Sequence, residues 1–411
     1  MLINEATRKF IAEHAQGDVR KLALQGAKDA TVDLPMALQQ IAGRQTAHKK
    51  LPSWAEIEDM VYPPHLNMEQ CSSEQTAKYK AGIVGEGECL IDLTGGFGVD
   101  FYWMSQGFKK RVYVEQNREL CAISSGNFRS LGLDATVVCG AAADYLSTFD
   151  DVADVIFLDP ARRNEHGGRT YGIEDCTPNV QELLPLLLKK ARSIVVKLSP
   201  MLDWRKAVED LEYVSEVHIV SVNNECKELL LVLGQRAKDT LRILCVNDEH
   251  IFCWFPQQKP SVSSVETTSF RLGNQCFLPL QPNEESILVQ DVQYLYEPNA
   301  SIMKAGCFMA LEEQYAVQQI SANSHLFVSA VEIDGFPGRK FQVLAISSMN
   351  KQELKEAMKG IGKANVAVRN FPLSADELRK KLKIKDGGDV YLFATTLSDG
   401  QHRLFICRKI G

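Results

Sequence analysis

The sequence predicts an α/β fold built on a doubly wound, mostly parallel sheet, and three observations predict it. Seven short apolar runs follow one another: Leu90 to Leu93, Arg111 to Val114, Ala135 to Gly140, Asp154 to Leu158, Ser193 to Leu198, Val217 to Val222 and Leu229 to Leu233. The first ends in Asp92 and breaks into Thr94-Gly95-Gly96-Phe97-Gly98, three glycines within four residues. The fourth runs into Asp159-Pro160, a carboxylate and a proline at the carboxyl end of a strand, where open α/β sheets hold ligands.

In chain order, residues 1–85 read as a helical region. Leu34, Leu38 and Ile41 recur at steps of four and three, and Phe10, Ile11 and Leu22 are set among polar residues, the pattern of a small bundle. At its end, Ser72 and Gln75 are spaced as a capping box just before the first strand. Such a helix start also suits a ligand carboxylate.

The glycine-rich turn lets backbone come close to a ligand that a Cβ would exclude. A dinucleotide fingerprint requires Gly-x-Gly-x-x-Gly, and counting from Gly96 gives Gly98 and then Phe101, which disfavours NAD. A phosphate loop ends in Gly-Lys-Ser/Thr. No lysine stands between Gly95 and Lys109, so a nucleoside triphosphate is disfavoured too. S-adenosylmethionine remains. The loop resembles motif I of the class I methyltransferases, with Thr94 where many of them carry the first glycine. That resemblance implies cofactor contacts from Asp92, Thr94, Gly95, Gly96 and Gly98.

Glu115 ends the second run 23 residues after Asp92, the interval at which an acid accepts from ribose hydroxyls in a doubly wound sheet. A solvated strand end is the competing reading. After the third run, Ala141-Ala142-Ala143-Asp144 occupies the place where related enzymes hold adenine. Asp144 either takes over the acid missing directly after Gly140, or caps a helix beginning near Tyr145, the role we favour.

Asp159-Pro160-Ala161-Arg162-Arg163 resembles the Asp/Asn-Pro-Pro-Tyr/Phe motif of amino-group methyltransferases. An exocyclic amine is a weak nucleophile because its lone pair is delocalised into the ring. The Asp159 carboxylate and the Pro160 carbonyl can accept its two N–H bonds and aim the lone pair at a methyl group, with no metal required. Ala161 departs from the motif, and Arg162 stands where an aromatic ring would stack. A guanidinium can also stack on a base or pair with phosphate, which makes Arg162 a third catalytic candidate and Arg163 a substrate contact. A surface basic pair is the plainer alternative.

Beyond these motifs, Gly168-Arg169, Val196-Lys197-Leu198-Ser199-Pro200 and Glu225-Cys226-Lys227-Glu228 resemble a bacterial family of class I methyltransferases that carry a THUMP-like domain. The resemblance implies a Rossmann-like, seven-stranded methyltransferase domain whose last two strands form an antiparallel hairpin, an RNA substrate, and Arg169 as a substrate contact. The chain then divides into a helical region (1–85), the methyltransferase domain (86–236), a ferredoxin-like α+β domain (237–330) and a THUMP-like domain (331–411). After Gly234 the pattern changes to short strands, Leu241 to Val246, Ile251 to Phe255 and Ile287 to Val292, interrupted by the Pro, Ser and Gln-rich stretch Pro256 to Ser264. Leu295 to Gly306 leads into a helix ending near Ile320, and Phe336-Pro337-Gly338-Arg339 reads as a turn.

At 411 residues, 45% hydrophobic and 24% charged, the chain can bury several cores and is too apolar to be disordered. Eleven cysteines without a Cys-x-x-Cys pair point to reduced thiols in a cytoplasm. The amino terminus lacks a signal-peptide pattern and no apolar stretch is long enough to span a membrane. From Ser321 onward 15 Lys or Arg stand against 9 Asp or Glu, a balance of +6; with −6 overall, the preceding 320 residues carry −12. Arg369, Lys380 and Lys381 lie in the densest basic patch and suit a phosphate backbone, although a solvated helix face over Asp376 to Lys385 explains the run as well.

The reading is an S-adenosylmethionine-dependent methyltransferase of an RNA base amine, guanine N2 in type. Two alternatives stay open: the same cofactor with a small-molecule or protein acceptor, and an inactive RNA-binding protein that keeps the fold. The oligomeric state stays open as well.

Overall fold

The computed structural model describes residues 3–162, 172–234, 241–256 and 291–411. Arg163 and Arg169, with most of Pro256 to Ser264 and Ile287 to Val292, fall outside the described residues. The chain forms two compact units, Met1–His218 with Glu228–Leu241, and Ile219–Lys227 with Arg242–Gly411.

The first unit begins with six helices, α1 (Glu5–Glu13), α2 (Val19–Gln25), α3 (Leu34–Lys50), α4 (Pro52–Ala55), α5 (His65–Gln70) and α6 (Glu74–Val84). On α3 the buried stripe is Ala37, Gln40, Ile41, Gly43 and Ala47, which leaves Leu34 and Leu38 half-buried at its edge. Asn127 ties this region to the sheet domain, since its side-chain amide accepts from Val61 N and donates to Val61 O, both at 2.9 Å. The capping box expected at Ser72 is displaced. Ser73 caps α6 by accepting from Thr76 N at 3.2 Å, and Ser72 turns inward.

Seven strands carry the parallel part of the sheet and its closing hairpin: β1 (Gly87–Asp92), β2 (Phe108–Glu115), β3 (Thr136–Cys139), β4 (Ala153–Leu158), β5 (Ala191–Leu198), β6 (Val214–Val222) and β7 (Glu225–Gly234). Their order is β3-β2-β1-β4-β5-β7-β6. β1 to β5 are mutually parallel and β7 runs antiparallel to β5. Helices cover both faces of such a sheet, so its central strands are apolar on both sides: Leu90, Ile91, Ile156, Leu158, Leu230 and Leu231 are fully buried. The expected hairpin is present, with Asn223 and Asn224 at φ +52° and +60°, the left-handed pair that a two-residue turn requires. Between β1 and β4 the chain order reverses, and the crevice at that switch point is the ligand position of open α/β folds.

The second unit holds a hairpin of β8 (Arg242–Asn247) and β9 (His250–Trp254), followed by β10 (Tyr294–Pro298), β11 (Gln318–Gln319), β12 (Phe327–Ser329), β13 (Gly338–Ser348), β14 (Asn365–Arg369), β15 (Val390–Thr396) and β16 (His402–Ile410). The last seven pair in the order β11-β12-β10-β13-β16-β15-β14, antiparallel except β14 with β15. The single helix expected to end near Ile320 is instead two, Ala300–Ala305 and Phe308–Tyr315. Gly306 at φ +68° ends the first and Ala316 at φ +45° ends the second. Among the described residues no helix is long and apolar enough to cross a membrane.

Candidate active site

The tips of β1, β2 and β4 converge on the glycine loop. Leu93 N donates to Phe157 O at 3.0 Å and Gly95 N to Val114 O at 2.9 Å, so the loop is stitched to both neighbouring strands. Its three glycines are needed for different reasons. A Cβ on Gly95 would fall 2.1 Å from the buried Tyr113 ring, and one on Gly98, at φ +83°, would fall 2.7 Å from Phe128. Packing from beneath therefore demands those two. Gly96 differs: its φ is +56°, and among the described residues a Cβ there would meet only Thr94 O, at 3.9 Å. It presents bare backbone on the open side of the loop.

Glu115, at the end of β2, accepts from Gly96 N at 2.8 Å through one carboxylate oxygen and from Asn117 N at 2.7 Å through the other. It remains half-exposed, with lone pairs to spare for hydroxyl donors. Asp92 is fully buried beneath the loop and accepts from Thr94 N at 2.9 Å. Burial lifts its carboxyl well above the usual carboxylate range, and the negative Asp100, Asp159 and Glu115 add to the rise against the Thr94 bond. Thr94 reaches across to β4, where its hydroxyl accepts from Asp159 N at 2.6 Å. The glycine loop and the Asp159-Pro160 segment are thus one structure.

Pro160 is buried and the Asp159 side chain is 38% exposed. Beyond them, the backbone of Ala161–Arg162 pairs antiparallel with Cys176–Thr177. Nothing is described of the Arg162 side chain. Asp144 does not cap: the helix after β3 begins at Ala142, earlier than the sequence suggested, with Ala141 at its N-cap and Asp144 exposed in its first turn.

Far from this crevice in the sequence, Arg369 also behaves otherwise than the basic patch predicts. It pairs with the buried Glu297 at 2.7 Å, as does Arg339. Lys380 and Lys381 are exposed on the helix Ala375–Leu382, whose cap is the Ser374/Glu377 box.

A THUMP domain-like family model matches residues 338–409, and a ferredoxin-like domain model matches residues 294–337. The crystal structure of a Porphyromonas gingivalis W83 protein assigned as a methyltransferase matches over 100% of both chains, with 30% identity and a TM-score of 0.82. The chain belongs to this family, class I S-adenosylmethionine-dependent methyltransferases with a THUMP-like domain. Partial likenesses include an rRNA methylase from Streptococcus thermophilus (12% identity, 39% of this chain and 94% of that one, TM-score 0.30). Another is a protein of Listeria monocytogenes assigned as a class I S-adenosylmethionine-dependent methyltransferase (8%, 59% and 93%, TM-score 0.37). A comparison with curated proteins finds no match.

In this methyltransferase the crevice carries a buried charge cluster that sequence reasoning missed. Lys197 Nζ lies 2.6 Å from Asp159 Oδ2 and 3.4 Å from Asp100 Oδ2. Lys80 faces Asp100 Oδ1 at 3.2 Å and pairs with Glu228. The Ser72 hydroxyl sits between Asp100 Oδ2 at 2.8 Å and Glu228 Oε1 at 3.0 Å. Burial opposes the charge on Asp100, but Lys80, Lys197 and Ser72 hold its carboxyl below the usual value. One signal was available: Lys197 and Glu228 are ionisable residues at the end and the start of apolar strand runs.

Proposed function

We propose that the enzyme methylates the exocyclic amine of an RNA base, guanine N2 in type. The observation that carries the reading is the union of the two strand tips: the Thr94 hydroxyl fixes the Asp159 backbone, so the acceptor-facing carboxylate belongs to the same rigid element as the glycine loop.

The loop fits S-adenosylmethionine. Gly96 offers bare backbone where a Cβ would occupy open space, and Glu115 offers a carboxylate pinned by two backbone N–H groups and still half-exposed. When bound, the cofactor supplies a methyl group on a sulfonium, an electrophile that needs no metal. Asp159 and the Pro160 carbonyl accept the two N–H bonds of the amine, bring its nitrogen toward tetrahedral geometry and orient its lone pair. Arg162, and Arg163 and Arg169 outside the described residues, are the proposed base and phosphate contacts. The exposed Lys380 and Lys381 and the THUMP domain-like match support RNA as the polymer. Asp144, exposed in the first turn of the helix after β3, is proposed at the adenine end.

The test is transfer of labelled methyl into RNA pools by wild type and Asp159→Ala, with digestion to nucleosides. Incorporation into a methylated base that disappears with Asp159→Ala supports the proposal. S-adenosylhomocysteine binding without incorporation into any RNA pool overturns the RNA acceptor and favours a small-molecule or protein substrate.

A further inference from the structure

A carboxylate that accepts from an amine has two oxygens, and either can face the substrate. In this crevice they are not equivalent. Asp159 Oδ2 is held by Lys197, whereas Oδ1 carries no hydrogen bond among the described residues and the side chain is open to the crevice. Lys197 reaches Asp159 from β5, where its neighbours Ile194, Val195, Val196 and Leu198 are buried and apolar. An ammonium so placed is costly unless it is fully paired. Its pairing is extensive: Asp100 lies on its far side, and Lys80, Glu228 and Ser72 fix Asp100 in turn. Removing Lys197 alone would strand Asp159 and Asp100 as buried acids, but apolar residues in place of the whole cluster would cost the sheet nothing, so the cluster needs a reason other than folding.

We propose that Lys197 is the positioning residue of the acceptor carboxylate, clamping Asp159 Oδ2 so that Oδ1 alone faces the substrate as an ionised, pure hydrogen-bond acceptor. The inference rests on the reading of Asp159 as the acceptor-facing group, and it adds a selection rule. A crevice that presents a carboxylate with its charge held in place admits an N–H donor and rejects a carbonyl or carboxylate at the same point.

Electrostatics agree with the geometry. Burial works against the charge on Lys197, but the carboxylates of Asp159, Asp100 and Glu228 overcome it and hold the ammonium well above its ordinary value. The proton therefore stays on Lys197, which excludes this residue as the base. Burial lifts the Asp159 carboxyl, with Asp100 and Glu228 adding to the rise, and Lys197 is the group that opposes it. Removing that ammonium lets Asp159 take up a proton at higher pH.

The experiment compares wild type, Lys197→Met, Lys197→Arg, Asp159→Asn and the double variant Lys197→Met/Asp159→Asn. S-adenosylhomocysteine calorimetry on each reports fold and cofactor binding. With RNA as substrate, Lys197→Met is expected to keep cofactor affinity, lose about 100-fold in kcat, as misplaced groups do, and move the acid limb of the pH profile upward. Lys197→Arg restores the limb. In the Asp159→Asn background the lysine substitution has no further effect on kcat, because it acts through the carboxylate. The double variant also removes the uncompensated buried acid, so it folds if the single variant does not. Unchanged kcat and pH profile in Lys197→Met, or additive losses in the double variant, overturn the proposal. If wild type methylates no RNA, the substrate reading fails separately. The Asp159 carboxyl resonance, titrated by carbon-13 NMR and assigned with Asp159→Asn, then decides: titration at higher pH in Lys197→Met sustains the clamp, and an unchanged titration removes it.

Discussion

Two alanine substitutions one residue apart in the glycine loop separate a cofactor cradle from a packing constraint. In Gly95→Ala the new methyl would sit 2.1 Å, 2.4 Å and 2.6 Å from three atoms of the Tyr113 ring. That ring cannot retreat. It is fully buried, packed edge-on against Phe101 at 5.6 Å and Phe128 at 5.3 Å, and its hydroxyl donates to Gly96 O. Overpacking of this kind costs about 3 kcal/mol, the upper part of the usual range, because both ring and loop must shift. Gly96→Ala meets nothing closer than 3.9 Å among the described residues, so its cost is that of a left-handed alanine, about 1–2 kcal/mol. For a unit of this size that corresponds to a fall in Tm of roughly 2–8 °C. Its methyl, however, projects from the open side of the loop, where the cofactor is proposed to lie. Differential scanning fluorimetry with and without S-adenosylhomocysteine reads both terms. Gly96→Ala should melt slightly early and lose most of the ligand-induced shift, with affinity down at least about tenfold, or 1.4 kcal/mol. Gly95→Ala should melt much earlier. A Gly96→Ala protein that binds the ligand as tightly as wild type would refute the placement of the cofactor over this loop.

Three further outcomes follow from the same geometry. Glu115→Gln turns one of the two acceptors into an amide that faces a backbone N–H of Gly96 or Asn117, so calorimetry should show S-adenosylhomocysteine affinity reduced by about 1–3 kcal/mol; equal affinity would remove Glu115 from the site. Asp92 has a folded value raised well above that of the unfolded chain, about 3.9. The native state therefore holds the proton more tightly, the benefit is complete below the unfolded value, and stability drains away as pH climbs toward the folded one. Asp92→Asn keeps the oxygen that accepts from Thr94 N and should abolish this slope, about 1.4 kcal/mol per pH unit within the window, in urea titrations from pH 4 upward; identical slopes in both proteins would show the group to be unshifted. Lys380→Ala/Lys381→Ala removes two exposed charges, so RNA binding should weaken evenly across sequences, with the log–log salt slope smaller by about 1 per lysine and stability within about 0.5 kcal/mol of wild type. An unchanged slope would separate the patch from the RNA.

The sheet was legible because its signals are local. Apolar runs buried on both faces look the same before and after folding, and the acids and glycines that end them lie within a few residues of the strand that positions them. The charge cluster was not legible, because its members come from five separate parts of the chain: Ser72 and Glu228 meet across 156 residues, Lys80 and Glu228 across 148, and Lys197 and Asp100 across 97. No spacing rule reaches that far. The glycines show a subtler limit. Sequence identified the turn correctly but assigned all three to one cause, whereas Tyr113 and Phe128 account for Gly95 and Gly98 and only Gly96 is left facing open space. The cap at α6 moved by a single residue for a related reason: Ser72 was already claimed by Asp100 and Glu228, so Ser73 took the helix start.

Charge in the carboxyl-terminal segment makes the same point about function. A count of Lys and Arg treats every cation as available, but the fold has already committed several. Glu297 on β10 holds Arg339 on the adjacent β13, and also Arg369 on β14, which is four places along the sheet and would lie roughly 19 Å away if the sheet were flat. A 2.7 Å contact over that distance requires a strongly curled sheet, and Arg369 pairs with Glu297 across the curl. Arg379 is likewise taken, by Asp376 and Asp386. Arginine, with its fixed fork of donors, suits such structural pairing, whereas Lys380, Lys381, Lys383 and Lys385 stay exposed. If RNA is the polymer, as proposed, its contact here falls to lysines acting as point charges on phosphate, which would give salt-dependent affinity with little base discrimination and leave the choice of base to the proposed Asp159 site.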